Sequence, residues 1–173
     1  MTSRILIYGS PVLRKHAEPI SSNTELQHTV DQLFSILEKE EGIGLAAPQI
    51  GLSKRIFIID TTPLKIDDPS VEIIRKVFIN PVIKEYSPEK TDFNEGCLSI
   101  PGIYETVERP ERIKVSYQDI NLELVEKELT GIEARIFQHE FDHLEGILFT
   151  DRLSPMRKML INGKLKKLQK HRR

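Results

Sequence analysis

His139-Glu140-Phe141-Asp142-His143 sets two imidazoles four residues apart. On a helix that spacing stacks them on one face, where both can reach a single divalent ion. Glu140 projects from the adjoining side of the same turn, beside the coordination position the histidines leave open. There it can take a proton from water that the ion activates, its pKa lowered toward ~7. The same five residues arise by chance on surface helices, where two His and a Glu are merely solvated. The flanks favour a site: Ile132 and Ile136 share the histidine face, and Phe137, Phe141 and Leu144 line the next one. Little of such a helix can face water, and buried imidazoles and a buried carboxylate need partners that a metal supplies.

A catalytic site of this kind takes a third protein ligand and keeps a fourth position for water or substrate. The longer pattern His-Glu-x-x-His-x-x-Gly-x-x-His is matched through Gly146, but Phe149 stands where its last histidine belongs and has no lone pair to give, which excludes that protease class. No Asp or Glu follows Asp151, so a carboxylate ligand from a later helix is unavailable too. Upstream, Cys97 is the best candidate, because a thiolate suits borderline-soft ions and Gly96 lets the backbone turn toward the helix. A lone cysteine otherwise reads as a small buried hydrophobe.

The elements that must position these groups are legible in part. Leu26, Val30, Leu33, Phe34 and Leu37 fall on one helix face between Ser22 and Lys39, with Ser22 and Glu25 forming a capping box and Gly42 the stop. Arg55 to Asp60 reads as a buried strand, Val77-Phe78-Ile79 as part of another, and the proline- and aspartate-bearing stretch from Asp60 to Ser70 as a surface loop. Ile113, Val115 and Tyr117 alternate with polar residues, Asp119-Ile120-Asn121 can turn the chain, and Leu122-Glu123-Leu124 resumes the alternation until Val125, which is a hairpin pattern. Gly131 to Glu145 is helical by period and Gly146 ends it. A last helix starts at Ser154 as N-cap with Pro155 next, and runs toward Arg173, with a kink expected at Asn162-Gly163.

A chain of 173 residues suits one domain, which can bury roughly 70% of its unfolded surface. With 39% hydrophobic and 29% charged residues and a net charge of -1, it is neither an extended disordered chain nor a DNA binder by charge. One cysteine allows no internal disulfide, so the fold stands on packing, as a reducing cytoplasm requires. Ile5-Leu6-Ile7-Tyr8 is ended by Gly9-Ser10-Pro11 before a signal-peptide core can form, and no run approaches the ~20 apolar residues of a membrane helix. The expectation is a cytoplasmic protein of bacterial type, or one relieved of an organellar transit peptide.

Three segments carry a resemblance: Gly42-Ile43-Gly44-Leu45-Ala46-Ala47-Pro48-Gln49-Ile50-Gly51, Glu95-Gly96-Cys97-Leu98-Ser99, and Gln138-His139-Glu140-Phe141-Asp142-His143-Leu144. In this order they closely resemble peptide deformylase, and the likeness extends from Pro11-Val12-Leu13-Arg14 to Asp151-Arg152-Leu153. The resemblance implies removal of the formyl group from N-formylmethionyl nascent peptides, with release of formate. It implies Fe(II) as the natural ion, where the N and S ligands alone point to zinc, with Zn, Ni or Co able to substitute. Carried over by position, Cys97, His139 and His143 are the metal ligands and Glu140 the acid/base. The Gln49 side-chain amide and the Leu98 backbone amide are donors to the oxyanion.

Gly42-Ile43-Gly44 can accept an extended substrate as an added strand, with Gly44 facing it, although the same residues also read as a helix-ending turn. A methionine pocket is expected from Ile43, Phe93, Ile136 and His139, with Glu95 and Gln138 steadying the ligands from outside. One departure stands out: some bacterial members carry a substrate-binding arginine in the segment after the cysteine, where this chain reads Pro101-Gly102-Ile103-Tyr104. The nine charges after Asp151 are all positive, from Arg152 to Arg173. They read as a solvated face or, by the resemblance, as a contact of the C-terminal helix, about 154–173, with the ribosome. Two rivals remain at this level, a metallopeptidase cutting internal bonds and a binding module that the ion only staples. The fold expected is α+β: antiparallel sheets packed around the motif helix, with N-terminal and C-terminal helices.

Overall fold

The computed structural model describes residues 4–22 and 25–170. Helix α1 (Leu26–Lys39) leads into the short strand β1 (Gly44–Ala46) and then β2 (Ile56–Asp60), α2 (Leu64–Asp67) and the long β3 (Arg75–Tyr86). Strands β4 (Lys90–Cys97), β5 (Ile100–Pro110), β6 (Arg112–Gln118) and β7 (Leu124–Thr130) follow, then helices α3 (Gly131–Leu144) and α4 (Pro155–Lys170). Five antiparallel strands make one sheet in the order β1-β2-β3-β6-β7, and β4 with β5 makes a separate hairpin. The fold is α+β, as expected.

Strand β2 shows why its apolar run does not alternate. Phe57 and Ile59 face α3 in one core, while Ile56 and Ile58 face α1 in a second, so the strand is buried on both sides. Against α3 the packing is aromatic: Phe137 meets Phe57 and Phe78 edge-on, at centroid distances of 5.0 and 5.1 Å. A third core joins Ile103 and Val107 of β5 to Leu148 and Phe149, and to Ile161 and Leu165 of α4. The motif helix is thus enclosed by the sheet on one side and by the β4-β5 hairpin on the other.

The hairpin read at Asp119 exists, its turn held by Asp119 Oδ1 accepting from the amides of Asn121 and Glu123, but β7 continues past Val125 to Thr130. Ser154 caps α4 through Arg157 N at 3.3 Å, and α4 runs unbroken through Asn162-Gly163 to Lys170; the expected end at Arg173 lies outside the described residues. Gly146 ends α3 with φ +71, where a Cβ would lie 2.7 Å from the Arg14 carbonyl oxygen.

Three local expectations are corrected. Helix α1 starts at Leu26 after Glu25 in a left-handed conformation (φ 66), so the Ser22 capping box does not begin it. Its stop comes at Glu41, the residue that takes φ 53, rather than at Gly42. The loop after Asp60 also carries a turn of helix, α2.

Replacing Phe137 by Ala removes the ring on which the aromatic layer closes, and the expected loss is about 3–5 kcal/mol. Urea unfolding of the purified variant measures it; a loss below about 1 kcal/mol would place the core elsewhere.

Candidate metal centre

Burial of α3 brings His139 and His143 onto the side facing β4, and β4 ends on Cys97 just before the turn into β5. Sγ of Cys97 and one ring nitrogen from each histidine lie within 4.8 Å of one another. Cys97 Sγ and His143 Nε2 are 3.3 Å apart. A tetrahedral ion bonded at ~2.0–2.3 Å separates its donors by roughly 3.3–3.8 Å, so Cys97 and His143 stand at ligand spacing and His139 converges on the same position. Glu140 Oε2 is buried without a hydrogen-bond partner among the described residues, as befits a group that meets something else in the working site, and so is His143 Nδ1, on the side of its ring away from the Nε2 that faces Cys97.

Each donor has its own restraint. His139 Nδ1 bonds Glu95 Oε2 at 3.0 Å, which leaves Nε2 for the ligand cluster. Phe149, standing where a third histidine would fall in metalloproteases, stacks on the His139 ring at a centroid distance of 6.0 Å. Burial, and then the charge of His139, hold the His143 imidazole well below its usual pKa, which keeps it in the neutral, metal-binding form. Burial alone would raise the Glu95 carboxyl, but Arg109 and His139 hold it well below the usual carboxylate range. Burial pushes Glu140 up to about 7. A carboxyl so poised can both take and return a proton near neutrality.

Gln49 is fully enclosed, and its orientation is fixed: Oε1 accepts from Ala46 N at 2.8 Å, so the amide nitrogen turns toward Ser99 Oγ (3.2 Å) and Cys97 Sγ (3.5 Å). Leu98 follows Cys97 in the turn between β4 and β5. Gly44 sits on the edge strand β1, where a Cβ would lie 2.5 Å from Glu140 Oε1 and 2.8 Å from Ile136 Cγ2. Glycine is therefore required there by the carboxylate of α3.

The remaining expected residues fall around this centre unevenly. Ile43 and Ile136 pack into the core between the sheet and α3. Phe93 is 41% exposed and lies under the Arg135 guanidinium at 5.6 Å. Tyr104 lays its ring against Gly96, where a Cβ would meet Cδ1 at 2.6 Å. Gln138 does not steady either imidazole: its amide donates to Pro110 O (2.9 Å) and Ala134 O (3.0 Å), tying α3 to β5. Two concavities lie away from the cluster, one of about 570 Å³ beside Gly42 and one of about 330 Å³ between Gly102 and α4. The donor geometry is the better guide to the site, because an ion needs little volume.

Sequence reasoning missed the cations that meet Glu95. Arg109 donates Nε and Nη2 to its two oxygens at 2.7 and 2.9 Å, and Arg135 Nη1 reaches Oε1 at 3.0 Å. The available signal was weak: an arginine on an alternating strand normally faces water.

The chain matches the family model described as polypeptide deformylase over residues 2–159. It is 42% identical to a peptide deformylase of Thermotoga neapolitana, covering 98% of each chain, and 45% identical to one of Thermotoga maritima, covering 94% of this chain and 93% of that one. Among solved structures it is similar to peptide deformylase from Plasmodium falciparum, with TM-score 0.87, 42% identity and 95% and 94% of the two chains covered. It is likewise similar to a peptide deformylase 1B of Arabidopsis thaliana, with TM-score 0.87, 40% identity and 96% and 90% covered.

Replacing Cys97 by Ser should leave a folded protein that binds Zn(II) or Co(II) more than about 10-fold more weakly, since a hard hydroxyl replaces the thiolate. Titration against a chelator reads this directly. Unchanged affinity would remove Cys97 from the ligand set.

Proposed function

The chain belongs to the peptide deformylase family, and we propose that Cys97, His139, His143, Glu140, Gln49 and Leu98 carry the deformylation of initiator methionine that the family performs. The observation that supports this most is the convergence of one thiol and two imidazoles beside a buried carboxylate that lacks a partner. A divalent ion held by those three ligands supplies Lewis-acid polarisation and a nucleophile at neutral pH. The ion we propose for the cell is Fe(II), with Zn, Ni or Co able to take its place on the same donors.

The protein's own residues do the rest. An extended N-formylmethionyl peptide pairs with the free edge of β1, since that strand has a sheet neighbour on one side only. Its formyl oxygen lies toward the Gln49 side-chain amide and the Leu98 backbone N–H, which receive the charge as the carbonyl carbon becomes tetrahedral. Glu140 takes one proton of the attacking water and passes it to the amide nitrogen as the C–N bond breaks, so the methionine amine leaves neutral and formic acid departs, giving its remaining acidic proton to solvent to become formate. Ile43, Gly44, Phe93 and Ile136 are the residues proposed to flank the methionine side chain.

Residues 1–173 act as one domain in the cytoplasm in this reading; among the described residues no helix is long and apolar enough to cross a membrane. Helix α4 extends the proposal to the ribosome. Among the described C-terminal cations, Arg152 pairs with Asp142 and Arg157 with Glu105, while Lys158, Lys164, Lys166 and Lys170 are exposed. The exposed set is the one offered to phosphate.

Glu140→Gln keeps the shape of the side chain but cannot cycle a proton. It should retain metal and fold while losing about 10²–10⁴-fold in formate release from formyl-Met-Ala-Ser, whereas a fully active variant would remove this mechanism. Cleavage of an unblocked longer peptide by the wild type would point instead to a metallopeptidase. For the ribosome, truncating α4 is a poor test because Ile161 and Leu165 are core residues. Changing Lys158, Lys164, Lys166 and Lys170 to Glu should abolish salt-sensitive co-sedimentation with ribosomes. Binding that is equal in both proteins and indifferent to salt would refute the contact.

A further inference from the structure

We propose that Arg109 is a positioning residue that sets the span between the thiolate and the two imidazoles, by clamping strand β4 to helix α3; this rests on the ligand assignment above. The metal ligands come from two elements that share no backbone–backbone hydrogen bond among the described residues. Cys97 ends β4, and His139 and His143 lie on α3, so a movement of one element against the other would change every donor distance at once.

A closed ring of contacts fixes that relation. Glu95, two residues before Cys97 on β4, accepts from His139 Nδ1 on α3 at 3.0 Å. Arg109 on β5 grips both oxygens of Glu95 with Nε and Nη2, at 2.7 and 2.9 Å. Its third donor, Nη1, reaches Asp142 Oδ2 at 2.8 Å, back on α3 and adjacent in sequence to His143. From outside, Arg152 holds Asp142 through Nε at 2.6 Å and Nη2 at 2.5 Å. The path from His139 through Glu95, Arg109 and Asp142 thus returns to the same helix turn, and no link in it is a flexible contact.

The chemistry of the clamp needs arginine. Three N–H groups of one rigid plane are used at once, two as a fork on a carboxylate and one on a second carboxylate 47 residues further along. A lysine offers the charge without the plane. Arg109 is also 2% exposed and among the largest fully buried side chains of the protein. Buried ion clusters of this kind are weak contributors to stability, and apolar replacements often match them, whereas they specify geometry well. The metal ligands beside this cluster are the groups that need specified geometry.

Arg109→Lys tests this in the full chain loaded with Co(II), whose absorption reports thiolate ligation and coordination geometry. Expected are a shifted ligand-field spectrum and Co(II) binding weaker by about 10–100-fold, together with loss of the His139 Nδ1–H resonance from the metal-free protein. A folded variant that melts at lower temperature with spectrum, affinity and resonance unchanged would show a purely structural role and overturn the proposal. Should Arg109→Lys not fold, Arg152→Gln loosens only the half-exposed outer hold on Asp142 and should weaken Co(II) in the same direction by a smaller factor; no change there would overturn the proposal equally. Wild-type protein without a thiolate-to-cobalt band would overturn the ligand assignment itself, and this inference with it.

Discussion

Two imidazoles and a thiol must be held within a few ångströms of one another although they arise from different parts of the chain, and that requirement shapes the molecule. A helix carrying two ligands and a base on adjoining faces has to be buried nearly all round, so it needs cover on both sides. The five-stranded sheet provides one cover, through the aromatic layer of Phe57, Phe78 and Phe137. The β4-β5 hairpin provides the other and delivers Cys97 at the tip where it turns. Helix α4 then backs the hairpin, with Ile161 and Leu165 packing behind Ile103 and Val107. The C-terminal helix is therefore part of the support for the metal ligands, whatever its outer face contacts.

Burying a polar helix has an electrostatic consequence. Glu95, Arg109, Arg135, Glu140, Asp142 and His143 are all buried, and isolated charges there would cost several kcal/mol each. The arrangement avoids this by pairing them: among the described residues, two side-chain N or O atoms are fully buried without a hydrogen-bond partner. Glu95 meets two guanidinium groups and an imidazole, and Asp142 meets two guanidinium groups. The two unpartnered atoms are Glu140 Oε2, beside the ligand cluster, and His143 Nδ1, on the side of the ring away from the Nε2 that faces Cys97.

The parts of this that were legible in the sequence are those governed by local rules. The histidine spacing defined α3, β-branched runs gave β2, and Ser154-Pro155 marked the start of α4. The β4-β5 hairpin was not legible for a physical reason: Ile103, Glu105, Val107 and Arg109 all point inward on β5, and two of the four are charged. Alternation of hydrophobicity disappears when inward charges find buried counter-charges, because that pairing is tertiary. For the same reason Gln138 read as a neighbour of the ligands, although its amide is consumed by two carbonyl oxygens away from them. At Gly44, read as facing substrate, an added Cβ would also meet Glu140, a contact across 96 positions that no local pattern reveals.

Gln49 shows how such tertiary fixation would serve the role proposed for it. A free glutamine amide offers its oxygen or its nitrogen to a cleft with equal ease, and an oxygen facing a developing oxyanion would repel it. Here the backbone N–H of Ala46 claims the oxygen, so the nitrogen is the end left to face Cys97 and Ser99. The choice is made during folding and not at the moment of reaction, so no reorganisation remains when charge develops. The same logic governs His139: with Nδ1 bonded to Glu95, Nε2 is the nitrogen presented to the ligand cluster. In both cases one hydrogen bond away from the reacting atoms decides which atom of a two-faced side chain is presented to them.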